Sequence, residues 1–225
     1  MIVFVDNEHE QGYAASFGEM ILAARTRIKY RLEDITGQPC LIVRYTHITT
    51  ELLQQYDVQA IFVSGSGTDS DLYSSAEQAN FHKVILEKAW PMFAFCGGFQ
   101  VMAEAFGAPL APIGPLPPDT PDPHPNFAPG RQKEMGYFPV NITKSHPLLE
   151  GLGEQPIMRH AHSWEMKAIP KEFTNYASTD ITPVQLLIHD GLPIMGTQFH
   201  PEYYTDEHPA GRVLIENFCK MVGLI

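Results

Sequence analysis

The sequence is poor in cysteine and in basic residues, and it contains no long uninterrupted apolar run. Its three cysteines are widely spaced and odd in number, which argues against a disulfide framework and fits a reducing compartment. No stretch approaches the roughly 20 apolar residues that span a bilayer, and the N-terminus lacks the basic segment of a secretory signal. These absences predict a soluble cytoplasmic protein that does not act at a membrane.

The net charge and the length of the chain further limit the class of protein to which it can belong. Fifteen Lys and Arg residues stand against 26 Asp and Glu residues, which gives a formal net charge of −11. A surface this acidic repels phosphate backbones, so we expect no nucleic-acid partner. With 225 residues, 44% of them hydrophobic, the chain can bury a sizeable core. We therefore expect a single domain over residues 1–225.

Short apolar runs alternate with segments of helical periodicity over the first hundred residues. The runs predicted as strands are Ile2–Val5, Leu41–Tyr45, Ala60–Val63 and Met92–Phe95, and helices are predicted near residues 17–32 and 73–89. This alternation predicts an α/β fold with an open, mainly parallel sheet covered by helices on both faces. Ligand sites in such sheets lie at the carboxyl ends of the strands.

A proline-rich excursion at about 109–130 interrupts this pattern. Nine of the 19 prolines fall in residues 109–129, so the segment cannot form a helix or a central strand. Two interpretations remain open: a semi-rigid surface loop, or a flap or docking segment beside the site. Beyond it, strands are predicted at Tyr137–Ile142, Val184–His189 and Ile194–Gln198, and a closing helix near Ala210–Leu224.

Cys96 is the candidate nucleophile because it follows a predicted strand directly and opens a predicted helix. This strand–turn–helix arrangement is a nucleophile elbow, in which residues two before and two after the nucleophile must be small; Ala94 and Gly98 are. The helix macrodipole favours the thiolate at such a position. The backbone N–H of Gly97 can contribute to an oxyanion hole. Cys40 and Cys219 lie in apolar surroundings and are interpreted as core residues.

His200 and Glu202 are the candidate base and its orienting carboxylate. Pro201 forces His200 into an extended conformation, and extended residues two apart project to the same side. Glu202 can therefore hydrogen-bond one ring nitrogen of His200 while the other nitrogen faces Cys96. This is the arrangement of a catalytic triad. We expect it to attack a small-molecule amide without a cofactor or a metal ion.

Several segments together resemble the class I (triad-type) glutamine amidotransferases. Ala94–Gln100 resembles the family's G-x-C-x-G-x-Q motif, Gln198–Glu202 its second motif, and Phe4–Asn7 its first strand, while His162-Ser-Trp-Glu is similar to its histidine–serine stretch. The resemblance implies a flavodoxin-like core. It also implies that Cys96 attacks the side-chain amide of glutamine, that a γ-glutamyl thioester forms, and that ammonia leaves before water completes hydrolysis.

The resemblance further implies roles for residues around the triad. Gln100, His162 and Ser163 match positions that help to hold the substrate, and Ser64–Gly67 matches the segment that supplies a second oxyanion N–H, with Gly65 and Ser66 as candidates. This segment is usually S-G-G-P or S-P-G-P-G, so Ser66 stands where the backbone is expected to need glycine. Gly97 also replaces a bulkier residue. From these departures we expect slow hydrolysis of free glutamine by the isolated chain, and a gain from Ser66→Gly.

We expect the chain to supply ammonia to a separate synthase, since these residues include no fused synthase domain, and three alternatives stay open. The first is a stand-alone hydrolase of a γ-glutamyl or other small amide. A metal site could form from His160 and His162 with His189 or Glu165. A catalytically silent scaffold is the third alternative, and the intact residues of the triad argue against it.

Overall fold

The computed structural model describes residues 1–225 and contains twelve β-strands and six α-helices. The strands are β1 (Ile2–Asp6), β2 (Cys40–Arg44), β3 (Ala60–Val63), β4 (Met92–Phe95), β5 (Leu110–Pro112), β6 (Glu134–Pro139), β7 (Asn141–Ile142), β8 (Ile157–His162), β9 (Trp164–Met166), β10 (Phe173–Ser178), β11 (Leu186–His189) and β12 (Ile194–Thr197). The helices are α1 (Glu10–Ala14), α2 (Gly18–Thr36), α3 (Thr50–Gln55), α4 (Ser75–Glu87), α5 (Gly97–Ala105) and α6 (Ala210–Met221).

Eight strands form the central sheet, in the order β2-β1-β3-β4-β12-β11-β10-β7. The pairs from β2 through β12 are parallel, and the pairs that add β11, β10 and β7 are antiparallel. The predicted open, mainly parallel sheet is therefore confirmed. Because β4 lies between β3 and β12, the carboxyl ends of these three strands meet at one edge, where Ser64, Cys96 and Gln198 follow them directly.

Alternate residues of the central strands enter two separate cores. Val3 and Val5 of β1 pack in the core that α3, α4 and α5 cover. Ile2 and Phe4 pack in the other core, which α2 and α6 cover through residues such as Ile28, Leu32, Leu214 and Phe218. Strands buried on both faces explain the continuous apolar runs from which they were predicted.

The predicted strand Tyr137–Ile142 is wrong in detail, because β6 and β7 divide it between two sheets. β6 pairs with β8 in a separate two-stranded ribbon, whereas β7 forms the edge of the central sheet. Pro139 ends β6, since proline has no N–H to donate to a ladder. The amide of Val140 still donates to the carbonyl of Pro156 at 3.0 Å, and Asn141 and Ile142 then pair with β10 of the central sheet.

The two cysteines that were interpreted as core residues are both buried, Cys40 on β2 and Cys219 on α6. Burial raises the pKa of each thiol to about 12, so neither carries a thiolate at neutral pH. None of the six helices combines the length and the apolar character that a membrane crossing requires.

Candidate active site

Cys96 lies at the turn between β4 and α5, in a backbone conformation that residues with a side chain rarely adopt. Its φ is +46° and its ψ is −107°. The turn is fixed because the amide of Cys96 donates to the carbonyl of Thr197 at 2.7 Å and the amide of Gln100 donates to the carbonyl of Cys96 at 2.9 Å. Strained backbone of this kind is typical of functional turns. The structure therefore has the elbow geometry predicted from the sequence.

Close packing explains why both residues after Cys96 are glycines. A Cβ atom on Gly98 would lie 2.6 Å from Cγ1 of Val63 and 2.7 Å from the carbonyl oxygen of Ser64. A Cβ atom on Gly97 would collide with Oγ of Ser66 and would lie 2.8 Å from its backbone nitrogen. The small residue at position 97 and the serine at position 66, two departures from the family pattern, are thus one coupled packing arrangement.

His200 and Glu202 form the predicted pair, with 2.7 Å between Nδ1 and Oε1 and both side chains buried. His200 is not helical but, with a φ of −106° and a ψ of 85°, it is less extended than expected before Pro201; its amide donates to the carbonyl of Arg159 at 2.8 Å. Glu202, however, is not on an extended chain as expected. It lies in a 3-10 turn, and this turn brings its carboxylate back to the imidazole.

The electrostatic environment favours a protonated His200. Burial alone lowers the pKa of an imidazolium, but here the negative charges of Glu202 and Cys96, with their hydrogen bonds, outweigh burial and raise the pKa to about 10. His200 is then an imidazolium at neutral pH, next to Cys96. A protonated His200 can first donate a proton to the leaving group.

Ser66 and Gly97 are the two residues that the structure brings together at the candidate oxyanion hole. The Gly97 amide is the first of α5 and so has no acceptor within the helix. Gly65 has a different task, because a Cβ atom there would lie 2.7 Å from Cε1 of His200. The expectation that Ser66 occupies a glycine-only conformation is wrong, since its φ is not positive and neither is that of Gly65 or Gly67.

Four chain segments line a small pocket at the sulfur of Cys96. They are residues 66–70 after β3, the elbow with Gln100, Phe127 of the proline-rich excursion, and residues 161–164, which run from the end of β8 into the start of β9. The pocket therefore contains the predicted substrate residues Gln100, His162 and Ser163. Their roles as substrate contacts stay predictions.

Gln100 is held by two hydrogen bonds that its amide nitrogen donates, at 3.3 Å to the carbonyl of Trp164 and at 3.2 Å to Oε1 of Gln198. Gln198 in turn donates to Sγ of Cys96 at 3.6 Å. Gln198 was not predicted as a site residue, although it opens the segment that contains His200 and Glu202. A buried amide beside a thiolate stabilises the negative charge on sulfur.

His162 lies between a backbone carbonyl and a buried carboxylate. Nδ1 lies 3.1 Å from the carbonyl of Trp164, and Nε2 lies 2.8 Å from Oε2 of Glu134. Glu134 also accepts a hydrogen bond from Gln185 at 2.6 Å. Burial raises the pKa of the Glu134 carboxyl, but the hydrogen bond and charge of His162 outweigh this and lower it to about 2. Glu134, which does not line the pocket, thus helps to hold His162, and Ser163 follows His162 directly in the chain.

Glu134, His160 and His162 are the residues that could hold a metal ion, since one ligand atom of each lies within 4.8 Å of the others. The sequence predicted His189 or Glu165 as the third ligand in place of Glu134. In the structure Glu165 pairs with Lys167, and Nδ1 of His189 accepts from the amide of Gly191. Ligands about 2.0–2.1 Å from a tetrahedral zinc ion lie roughly 3.3 Å apart. The 2.8 Å between Oε2 of Glu134 and Nε2 of His162 is shorter than that spacing, so this geometry does not favour a tetrahedral zinc ion.

The proline-rich excursion reaches the candidate site. Phe127 lines the pocket at Cys96 and also the neighbouring cavity that borders His200. The loop is fixed by the buried ammonium of Lys133, which donates to Asp122 at 2.9 Å and to the carbonyls of His124 and Phe127. Of the two interpretations from the sequence, these contacts favour the segment beside the site.

Comparison with known proteins agrees with this geometry. The sheet, the elbow and the paired His200 and Glu202 have the arrangement of a cysteine-dependent amide hydrolase. The family model "Glutamine amidotransferase class-I" matches residues 24–222. A glutamine-hydrolysing GMP synthase subunit from Methanopyrus kandleri is 31% identical over 193 residues, which cover 84% of this chain and 89% of that protein. The chain belongs to the class-I glutamine amidotransferase family, as its motifs predicted.

Two further comparisons show how much of each relative the chain matches. The glutamine-hydrolysing GMP synthase of Phenylobacterium zucineum is 26% identical over 222 residues, and the matched region covers 96% of this chain but 37% of that longer protein. A crystal structure of a protein from Thermoplasma acidophilum has a TM-score of 0.73 and 22% identity, and covers 99% of this chain and 94% of that one. This last similarity shows a shared fold.

Proposed function

We propose that this chain hydrolyses the side-chain amide of glutamine to glutamate and ammonia, and that it supplies the ammonia to a separate synthase. The observation that carries the proposal is the buried pairing of His200 with Glu202 at 2.7 Å, at the strand end next to Cys96. Membership of the family supports glutamine as the substrate. The name of the Methanopyrus kandleri relative supports a synthase that makes GMP as the first partner to test.

The first half of the reaction forms a thioester. The thiolate of Cys96 attacks the amide carbon, and the π electrons of the carbonyl move to oxygen. We expect the amides of Gly97 and Ser66 to stabilise this oxyanion. The imidazolium of His200 then donates its proton to the amide nitrogen, the C–N bond breaks, and ammonia leaves. Neutral His200 and a γ-glutamyl thioester on Cys96 remain.

The second half of the reaction regenerates the ion pair. Neutral His200 takes a proton from water while the water oxygen attacks the thioester carbon. The C–S bond breaks, glutamate leaves, and the thiolate and imidazolium re-form. Glu202 keeps the imidazole in one orientation and stabilises its positive charge in both halves.

The test is a measurement of glutamate and ammonia release by the purified chain, alone and with a separate synthase plus the acceptor of that synthase. We expect release from glutamine that increases when the synthase is present, and none from Cys96→Ser. Turnover of a different small amide, with no response to a synthase, would favour the stand-alone hydrolase. No amide turnover under either condition would contradict the proposal.

A further inference from the structure

The sequence carries one charged residue on the apolar side of α2. Ile21, Arg25, Ile28 and Leu32 follow one another at helical spacing, and Arg25 is buried with Ile28 and Leu32. Burying a guanidinium is costly unless it is fully paired. The contacts of Arg25 therefore indicate what this position does.

Arg25 contacts the segment that follows β3. Its Nη2 donates to the carbonyl oxygen of Gly65 at 2.7 Å, and its Nε donates to Oδ1 of Asp6 at 2.7 Å. Oε2 of Glu8 lies 3.6 Å from the same guanidinium. Glu8 completes the arrangement, because its carboxylate accepts from the amide of Gly67 at 2.7 Å. The residues on both sides of Ser66 are thus held by buried charges.

We propose that Arg25 is a positioning residue of the oxyanion hole: by binding the carbonyl of Gly65, it directs the N–H of Ser66 toward Cys96. In a trans peptide the carbonyl of one residue and the N–H of the next point in opposite directions. With the Gly65 carbonyl held by Arg25, the Ser66 N–H faces the elbow, where its nitrogen would lie 2.8 Å from a Cβ atom on Gly97. This inference rests on the proposed function.

The need for such an anchor follows from Gly65 itself. A side chain there would collide with the imidazole of His200, so the position requires glycine. Glycine lets the adjoining peptide rotate at little cost, and the opposite orientation would aim a carbonyl oxygen at the developing negative charge. The hydroxyl of Ser64 also donates to the Gly65 carbonyl, at 2.8 Å. The charged hydrogen bond from Arg25 is the stronger of the two.

Two variants at position 25 and one matched control test this role. Arg25→Met removes the anchor, and Arg25→Lys keeps the charge that Asp6 and Glu8 need for folding. Lysine has a single nitrogen and cannot reproduce the fork that reaches both Asp6 and Gly65. The control is Arg27→Met, an exposed arginine two residues along the same helix. Thermal melting shows which variants fold.

The kinetic measurement compares glutamine turnover with alkylation of Cys96 by iodoacetamide. Alkylation needs the thiolate but no oxyanion, so it should stay near the wild-type rate. Losing one oxyanion donor typically costs about 100- to 1,000-fold in kcat, and we expect a loss of this size in Arg25→Met with little change in KM. In Arg25→Lys we expect a smaller loss of kcat, and in Arg27→Met none. Wild-type kcat in folded Arg25 variants, or an equal loss of turnover and alkylation, would overturn the proposal.

A crystal structure of Arg25→Met separates this inference from the proposed function. We expect the Gly65–Ser66 peptide to be rotated, with its carbonyl toward Cys96; the wild-type orientation would overturn the role of Arg25. If the wild-type chain releases nothing from glutamine even with a synthase, the proposed function fails. The peptide orientation in the variant then decides the role of Arg25 alone.

Discussion

The hydroxyl of Ser66 fills the space that a side chain at position 97 would need, since a Cβ atom on Gly97 would collide with Oγ of Ser66. Both residues lie beside the sulfur of Cys96. Residues in such close contact are expected to show coupled effects on substitution.

This coupling predicts non-additive kinetics. Gly97→Ala alone should lower kcat by about tenfold or more, because the new methyl group displaces the Ser66 segment from the oxyanion hole. The same substitution should cost less, though still some activity, in a Ser66→Gly background, because the hydroxyl is gone but the backbone nitrogen of residue 66 stays 2.8 Å from the new Cβ atom. Four glutaminase assays (wild type, both single variants and the double variant) measure the coupling. An equal cost of Gly97→Ala in both backgrounds would show that the contact does not matter.

Glu202→Gln should reduce kcat less than His200→Ala does. The imidazole transfers the proton, whereas the carboxylate orients it and stabilises its charge at 2.7 Å. Glu202→Gln should also lower the pKa of His200, because the carboxylate is the largest of the influences that raise it. An NMR titration of the His200 ring in each variant gives this pKa. Equal and negligible losses of kcat in both variants would mean that the pair is structural.

Buried His160 should make the fold sensitive to acid. Burial lowers the pKa of its imidazole to about 3, while an unfolded histidine titrates near 6.5. The contribution of neutral His160 to the free energy of unfolding is therefore fully present above about pH 6.5. It is lost as the pH falls toward 3, since only the unfolded chain takes up the proton. Between pH 7.5 and 5 the free energy of unfolding should fall by about 2 kcal/mol on account of His160.

His160→Phe tests this prediction, because it removes the titrating group and keeps an aromatic ring in the same place. Denaturant unfolding at pH 7.5 and 5 should show a smaller difference in the variant than in the wild type. His47→Phe, at an exposed histidine far along the chain, is the matched control and should leave the difference unchanged. An identical pH dependence in wild type and His160→Phe would exclude His160 as its source.

Much of the fold was predictable because its central strands are buried on both faces. Ala60–Val63 and Met92–Phe95 were placed at their observed bounds, since a continuous apolar run between polar turns has few other interpretations. The strand β10 (Phe173–Ser178) was not predicted. Its middle residues are only partly buried, so the sequence shows neither an apolar run nor a clear alternation.

The site was predictable where the chemistry is local in sequence. Cys96 with its elbow, and His200 with Glu202, are each contained in a few neighbouring residues. Arg25 and Gln198 were missed, because their roles depend on contacts with residues 40 and 102 positions away. The charged Arg25 on the apolar side of a predicted helix was the one available signal. The glycine-only conformation expected at Ser66 was wrong, because the packing of Ser66 against Gly97 could not be seen from the sequence.

The most direct test of the account is ammonia release from glutamine by Cys96→Ser, compared with Cys219→Ser and Cys40→Ser at equal folded concentration. The buried thiols of Cys219 and Cys40 lie in the core, so their variants should keep most of the activity. Cys96→Ser barely changes the volume but removes the thiolate, and it should lose several orders of magnitude in kcat, on the order of the loss of a triad nucleophile. Wild-type release by a folded Cys96→Ser protein would contradict the account.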